Sequence, residues 1–314
     1  MSLARTLDSL RADVERRILR LASAVDPAPA PIQRRYVDDG PIRWHVTTMG
    51  RGPAVLLIHG TGASSHSLHP LMQRLAERFT LVAPDLPGHA LTRADRSFEP
   101  SLPNIARALG RLTDALALRP VLVVGHSAGA AIVVRMTLDG LVEPELVVGL
   151  AAALVPFRGL ARAVLHPAAA LLARSIAPTL IASGVALTRG GVDGLVRSTG
   201  SVLDAEGIDS YRRLVERPEH VAGVLSMMAR WDLDPLHAAL PRLYTPCLLL
   251  AGRNDRAVPV AQLRHASARL PHATLVVVER AGHLLHEERP DTVARIILEH
   301  HDLPPPPPPA HEEP

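Results

Sequence analysis

The chain has 314 residues, 47% of them hydrophobic, and a formal net charge of +3. That length can bury a large core, as one α/β domain or as a domain carrying an insertion, and so small a charge argues against a dedicated nucleic-acid binder. A single cysteine, Cys247, excludes an intramolecular disulfide.

Residues 1–23 read as an amphipathic helix. Leu3, Leu7, Leu10, Val14, Ile18 and Leu21 recur at helical spacing, with Arg5, Arg11, Arg16, Arg17 and Arg20 between them. Asp8, Asp13 and Glu15 break the basic face, which favours packing or solvation over attachment to a membrane surface or partner. A proline-rich linker closes the segment at Pro31. No uncharged run reaches the 18 or so apolar residues of a membrane span, and no secretory signal pattern opens the chain. The expectation is a cytoplasmic protein, with weak membrane contact through the first helix as the alternative.

Tyr36 to Val46 has the pattern of a hairpin turning at Asp38-Asp39-Gly40. Ala54 to Ile58 is a buried strand leading into His59-Gly60-Thr61-Gly62. A helix over 71–78 and a strand over 79–83 follow. Next comes the loop Asp85-Leu86-Pro87-Gly88-His89, whose Asp85 is expected to hold its shape by local hydrogen bonds. A helix over 104–116 precedes an apolar strand that starts at Val121. That strand breaks into Gly125-His126-Ser127-Ala128-Gly129 before a helical run to Leu138. Leu146 to Ala153 is a further strand. Strands alternating with helices at this spacing indicate a mostly parallel sheet covered on both faces. The pattern lapses over 154–241 into short helices. It resumes with strands at Cys247–Ala251 and Thr274–Val278, each followed by a polar loop, and ends on a helix. Cys247 reads as an inert core thiol. Pro304 to Pro309 is unbroken proline and can only be an extended tail.

Gly-x-Ser-x-Gly between a strand and a helix places Ser127 at the tip of a turn too tight for a Cβ at either glycine. Asp255 and His283 each sit just past the C-terminal end of a predicted strand, the edge where open α/β sheets place their sites. A serine hydroxyl is a poor nucleophile at neutral pH. His283 would therefore take its proton as general base, and Asp255 would orient the imidazole. His286 is the alternative base, disfavoured because the last helix should begin there. No acidic residue lies just past the strand ending near Ala153, which strengthens Asp255. The backbone N–H groups of Thr61 and Ala128 would face the developing oxyanion. Gly60 and His126 flank that position as candidate substrate contacts, and His59 reads as structural. No metal-ligand spacing and no phosphate-binding glycine loop stands out, so no metal or cofactor is expected.

These motifs carry a resemblance. Residues 42–153 and 243–300 resemble the α/β-hydrolase superfamily through HGTG (59–62), GHSAG (125–129), GRNDRAVP (252–259) and AGHLLHEERP (281–290). More narrowly, the chain is similar to the magnesium-chelatase accessory proteins of bacteriochlorophyll synthesis. That match rests on HGTGASSHS (59–67), VAPDLPGH (82–89), GHSAGAAI (125–132) and the stretches 197–207, 211–214 and 218–233. The resemblance implies an α/β-hydrolase fold with a helical lid inserted before the strand that carries the catalytic Asp. The implied organisation is a helix and linker over 1–31, core over 32–153, lid over 154–241, core over 242–303 and a tail over 304–314. The implied activity is serine hydrolysis of an ester or related acyl bond through an acyl-enzyme, tied to magnesium chelatase. The alternative is a non-catalytic porphyrin-binding or chelatase-accessory role. There Met227, Met228, Trp231 and Leu225 would meet the pigment face, and Arg197, Arg212, Arg213 and Arg230 its carboxylates. The same residues also read as lid core and solvated cations. A general esterase or carbon–carbon bond hydrolase uses the same residue set, whereas dehalogenases of this fold carry an aspartate at the elbow. Two positions depart from the pattern: Ala90 replaces a glycine, and Leu68 stands where an aromatic residue is expected.

Overall fold

A computed structural model describes residues 31–156 and 190–302. The chain divides into two units, Met1–Pro31 and Ile32–Pro314, and every element below belongs to the second. The expected N-terminal helix, residues 157–189 of the expected lid, and the proline tail lie outside the described residues.

The first elements are strands β1 (Gln33–Asp39), β2 (Ile42–Gly50) and β3 (Ala54–Ile58), a 3-10 turn (Ser65–Leu68), helix α1 (His69–Leu75), and strands β4 (Thr80–Pro84) and β5 (Arg93–Ala94). Next come α2 (Leu102–Ala115), β6 (Pro120–His126), α3 (Ala128–Leu138) and β7 (Leu146–Leu150). Helices α4 (Gly191–Ser198), α5 (Ala205–Val215), α6 (Pro218–Met228) and α7 (Asp234–Ala239) occupy the region that lacks strand patterning. The chain then completes β8 (Cys247–Gly252), α8 (Val260–Ser267), β9 (Ala273–Val278), α9 (Leu285–Glu288) and α10 (Pro290–His301).

The strands form one sheet in the order β1-β2-β4-β3-β6-β7-β8-β9, with the short β5 paired to β2. β1 and β2 form the expected hairpin, with Asp39 opposite Ile42. β2 meets β4 antiparallel, and every pairing from β4 through β9 is parallel. Every residue of β7 and β8 is buried. That is why these strands read as unbroken apolar runs rather than as alternating ones. α2 packs on α3, and α1 on α10. Leu68, the departure noted above, is fully buried, so an aliphatic side chain fills that core position. Cys247 is also buried, and burial pushes its thiol up to about 12.

The strand order reverses about β3. β4 lies on one side of it and β6 on the other. The crevice of an open α/β sheet forms at the carboxyl ends of strands at such a switch point. The loops after β3 and β6 are those of Thr61 and Ser127.

Burial also sets the charge state of the interior. His59, His66, His69, His89, His220 and His286 are pushed down to about 3 or 4, chiefly because burial disfavours the charged ring. His126 is driven well below its ordinary value for the same reason. Burial has the opposite effect on the Glu287 carboxyl, raising it to about 8.

Two predictions follow from strain and burial. Ala90 adopts φ +45°, a left-handed conformation that costs an alanine about 1–2 kcal/mol. Ala90→Gly is expected to stabilise the fold by about 1 kcal/mol, a rise in Tm of roughly 2–4 °C in a thermal melt. The histidines bind protons in the unfolded chain from pH 6.5 downward but only near pH 4 or below when folded. Their contribution is present above pH 6.5 and is lost as pH falls through 4. Glu287 works in the opposite sense: its contribution is present below pH 4.5 and is lost as pH rises through 8. A Tm profile should therefore climb steeply from pH 4 to 6.5 and decline shallowly to pH 8, with Glu287→Gln abolishing the decline.

Candidate active site

Ser127 stands between β6 and α3 with φ +52° and ψ −114°. Both glycines around it are sterically required. A Cβ on Gly125 would lie 2.4 Å from the Ala130 nitrogen, and one on Gly129 would lie 2.2 Å from the Ile58 carbonyl oxygen. The second contact brings the start of α3 directly against the end of β3. The Ser127 N–H donates to Leu150 O at 2.8 Å, and its carbonyl accepts from Ala153 N at 3.1 Å. The strained turn is thus held by the end of β7.

His283 lies beyond β9 and Asp255 beyond β8. His283 Nδ1 is 2.9 Å from Asp255 Oδ2. Asp255 Oδ1 accepts from the backbone N–H groups of Ala257 and Val258, each at 2.8 Å. All its acceptor bonds come from neighbours that fix its orientation, and its side chain is fully buried. With Nδ1 donating to Asp255, Nε2 of His283 remains free to act as an acceptor.

A segment from the inserted helices braces this pair. Arg256 N donates to Thr199 O at 3.0 Å, and Leu284 N donates to the buried Ser201 hydroxyl at 2.8 Å. Glu288 accepts from Gly282 N at 2.9 Å and from Val202 N at 3.3 Å. Residues 199–202 thereby link the loop of Asp255 to the loop of His283. Nothing in the sequence marks Ser201 for this task, because a lone serine beside a glycine reads as a turn.

The loop after β3 is a turn closed by Ala63 N donating to Gly60 O at 3.2 Å. Gly62 takes φ +79°, as a type II turn requires at its third position. His59 braces it, donating from Nδ1 to Gly60 O at 2.8 Å and accepting the Leu86 N–H on Nε2 at 2.9 Å. This is the structural part expected of it. Asp85 differs from expectation. It reaches across the fold, accepting from Ser65 N and from His45 Nδ1, each at 2.8 Å. Burial alone would raise its pKa, but the His45 bond, nearby His59 and the Ser65 N–H hold it at about 2. Local bonding is the weaker part: its bond from Leu91 N is 3.5 Å long.

Ser127, His283, Thr61 and His126 line one cavity of about 450 Å³. A Cβ on Gly60 would lie 3.2 Å from the Ser127 Cβ, so Gly60 adjoins the same point. Ala128 is the first residue of α3, at its positive end, where the helix supplies no i−4 acceptor for its N–H. His126 uses Nε2 to donate to the His283 carbonyl at 3.1 Å. His286, the alternative base, is fully buried with its ring 4.4 Å from that of His126. It does not line the cavity.

Most of the rest of the wall is aliphatic, with Val192, Leu195, Val196, Val215, Val224 and Leu225 from α4, α5 and α6. Of the expected pigment-face contacts only Leu225 lines the cavity. Met227, near the end of α6, and Trp231, three residues past the helix, are buried in the main core cluster. Met228 is an exposed side chain outside the cavity lining. Arg197 pairs with Asp193, and Arg212 and Arg213 pair with Asp209. Arg230 donates to Ser226 O at 3.2 Å. None of these arginines lines the cavity, and among the described residues no group of ligating side chains could hold a metal ion. Two wall residues were not foreseen. Tyr211 donates to the buried Glu287 at 2.6 Å, and His220 reaches from α6 to the loop of Thr61.

Comparison with known proteins agrees with this architecture. The model of the alpha/beta hydrolase family matches residues 55–296. The magnesium-chelatase 30 kDa subunit of Rhodobacter capsulatus is 41% identical over 87% of this chain and 95% of its own length. The pimeloyl-[acyl-carrier protein] methyl ester esterase of Xanthomonas oryzae is 30% identical over 76% of this chain and 91% of its own. An alpha/beta hydrolase fold protein from Burkholderia ambifaria superposes with a TM-score of 0.72 at 21% identity, over 84% of this chain and 97% of that one. With its parallel sheet, its strained serine turn and a family match across both halves of the core, the chain belongs to the alpha/beta hydrolase family.

Proposed function

We propose that the protein is a serine hydrolase of neutral, apolar esters, acting through an acyl-enzyme. One observation carries this reading. The Ser127 elbow and the His283–Asp255 pair open onto the same aliphatic cavity. Ser127 Oγ attacks the ester carbonyl carbon while His283 Nε2 takes its proton. The oxyanion that forms lies against Thr61 N–H and Ala128 N–H, with the positive end of α3 behind it. His283 returns the proton to the alkoxide leaving group, and the alcohol departs. Water then repeats the sequence on the acyl-enzyme, releasing the acid and free Ser127. Asp255 holds the imidazole in its Nδ1–H tautomer and stabilises the imidazolium. The inserted helices shape the acyl side of the pocket and shield it from water, in the manner of a lid.

A second reading rests on the likeness to the chelatase subunit: an accessory role at a magnesium chelatase, with or without turnover. Direct seating of a porphyrin in the described cavity is disfavoured. Among the described residues the wall holds no arginine to pair with its carboxylate arms, and unpaired buried charge is costly. Docking on the outer surface carries no such penalty.

A fluorophosphonate probe is expected to label Ser127, and Ser127→Ala to abolish labelling and lower kcat on nitrophenyl esters by about a thousandfold or more. Folded wild type that fails to label, beside an esterase that does, would overturn the catalytic reading and leave the accessory one. Among linear acyl chains, kcat/KM should rise close to fourfold per methylene while the cavity fills, since each buried methylene contributes about 0.8 kcal/mol. A flat series from acetate to octanoate would show that the aliphatic wall does not hold the acyl chain.

A further inference from the structure

The loop that carries Thr61 is not held by the core alone. His220, on α6, is 2% exposed. Its Nδ1 accepts the Ala90 N–H at 3.0 Å, and its Nε2 lies 3.2 Å from Gly62 O. The first bond needs an unprotonated Nδ1, so the proton sits on Nε2 and is donated to Gly62. The tautomer is therefore set by geometry. The groups facing the ring are His89, with ring centroids 5.3 Å apart, His59 and Asp85 from the core, and Arg217 from the start of its own helix.

A second contact fixes where α6 stands. A Cβ on Gly223 would lie 2.0 Å from Gly88 O. The backbone of α6 therefore rests directly on the loop after β4, one helical turn from His220. A helix seated backbone to backbone at one point and hydrogen-bonded through a buried ring at another has little room to shift.

We propose that His220 is a positioning residue for catalysis: through its bond to Gly62 it sets the turn that presents the Thr61 N–H to the oxyanion. Two carbonyls of the turn Gly60–Ala63 are held by histidine side chains. Gly60 O is held by His59 and Ala63, and Gly62 O by His220. Without His220 the Gly62 end of the turn loses its side-chain anchor, and the neighbouring N–H loses its fixed aim. α6 is on this account a fixed wall of the site, not a flap that opens for substrate. The inference rests on the serine-hydrolase reading above.

The two bonds of the ring can be separated by substitution. Gln places a donor where Nε2 stands, toward Gly62. Asn places an acceptor where Nδ1 stands, toward Ala90. On a short ester, His220→Leu is expected to lower kcat tenfold to a hundredfold with little change in KM. His220→Gln should recover kcat to within about threefold of wild type, and His220→Asn should not, although both fold. A residue that only packs the helix would give equal Gln and Asn variants, or a change in KM and Tm without one in kcat. Either result overturns the proposal. If the wild type shows no turnover, the hydrolase reading fails on its own. The positioning claim is then read by hydrogen exchange of the Ala63 amide. That exchange should quicken at least tenfold in His220→Leu and His220→Asn but not in His220→Gln. Equal rates in all four proteins would overturn it.

Discussion

The close approach of α3 to β3 is the constraint on which the site depends. Gly129 lets the first turn of α3 sit against the Ile58 carbonyl, and Gly125 lets the chain reverse within three residues. Given both, Ser127 has no choice but a positive φ. Its hydroxyl stands above the sheet edge, and the helix dipole begins one residue later. A serine at that angle costs of order 1–3 kcal/mol. The surrounding structure meets that cost, because Ser127 is tied through its own N–H and C=O to Leu150 at the end of β7 and to Ala153 just past it.

Around this point the polar groups divide into two sets. One lines the cavity: Ser127, His283 and Thr61. The other lies behind it and holds the first in place. His59 and Asp85 fasten the loops after β3 and β4. His126 grips the carbonyl of His283. Ser201 and Glu288 join the loops of the acid and the base. The histidines behind the site are kept neutral by burial, so each can donate from one nitrogen and, where a partner stands there, accept on the other. A charged ring could not do both. His59 and His220 use both ring nitrogens in this way.

The cavity wall weighs on the choice between hydrolase and pigment carrier. Helices α4, α5 and α6 turn valine and leucine toward the cavity, and α4 and α5 pair their arginines with aspartates on the same helix. This is the ordinary amphipathic solution for a helix with one dry face. Among the described residues the wall suits an aliphatic chain and offers a dicarboxylate no arginine.

Much of this was legible in the sequence, for reasons of locality. Strands buried on both faces show as apolar runs, so β3, β6, β7 and β8 are visible one at a time. The glycines of the elbow are adjacent to the serine they serve. Ser127, Asp255 and His283 each stand at the end of such a run, and their order along the chain points to their meeting. What could not be read was pairing between distant segments. Asp85 looked local, yet its short bonds go to His45 and Ser65 on other elements. Met227 and Trp231 looked like pocket residues, because hydropathy does not say which side of a helix faces a cavity and which faces the core. His220 lay within the stretch 218–233 that carried the narrower resemblance, but nothing there pointed to its partners. The sequence by itself determined the elements, the elbow and the chemical kinds of the site residues, since these depend on sterics and patterning within a few positions. Only the tertiary structure decided the cavity wall, the brace at Ser201 and the grip of His220 on Gly62, since these depend on where segments far apart in the chain come to rest against one another.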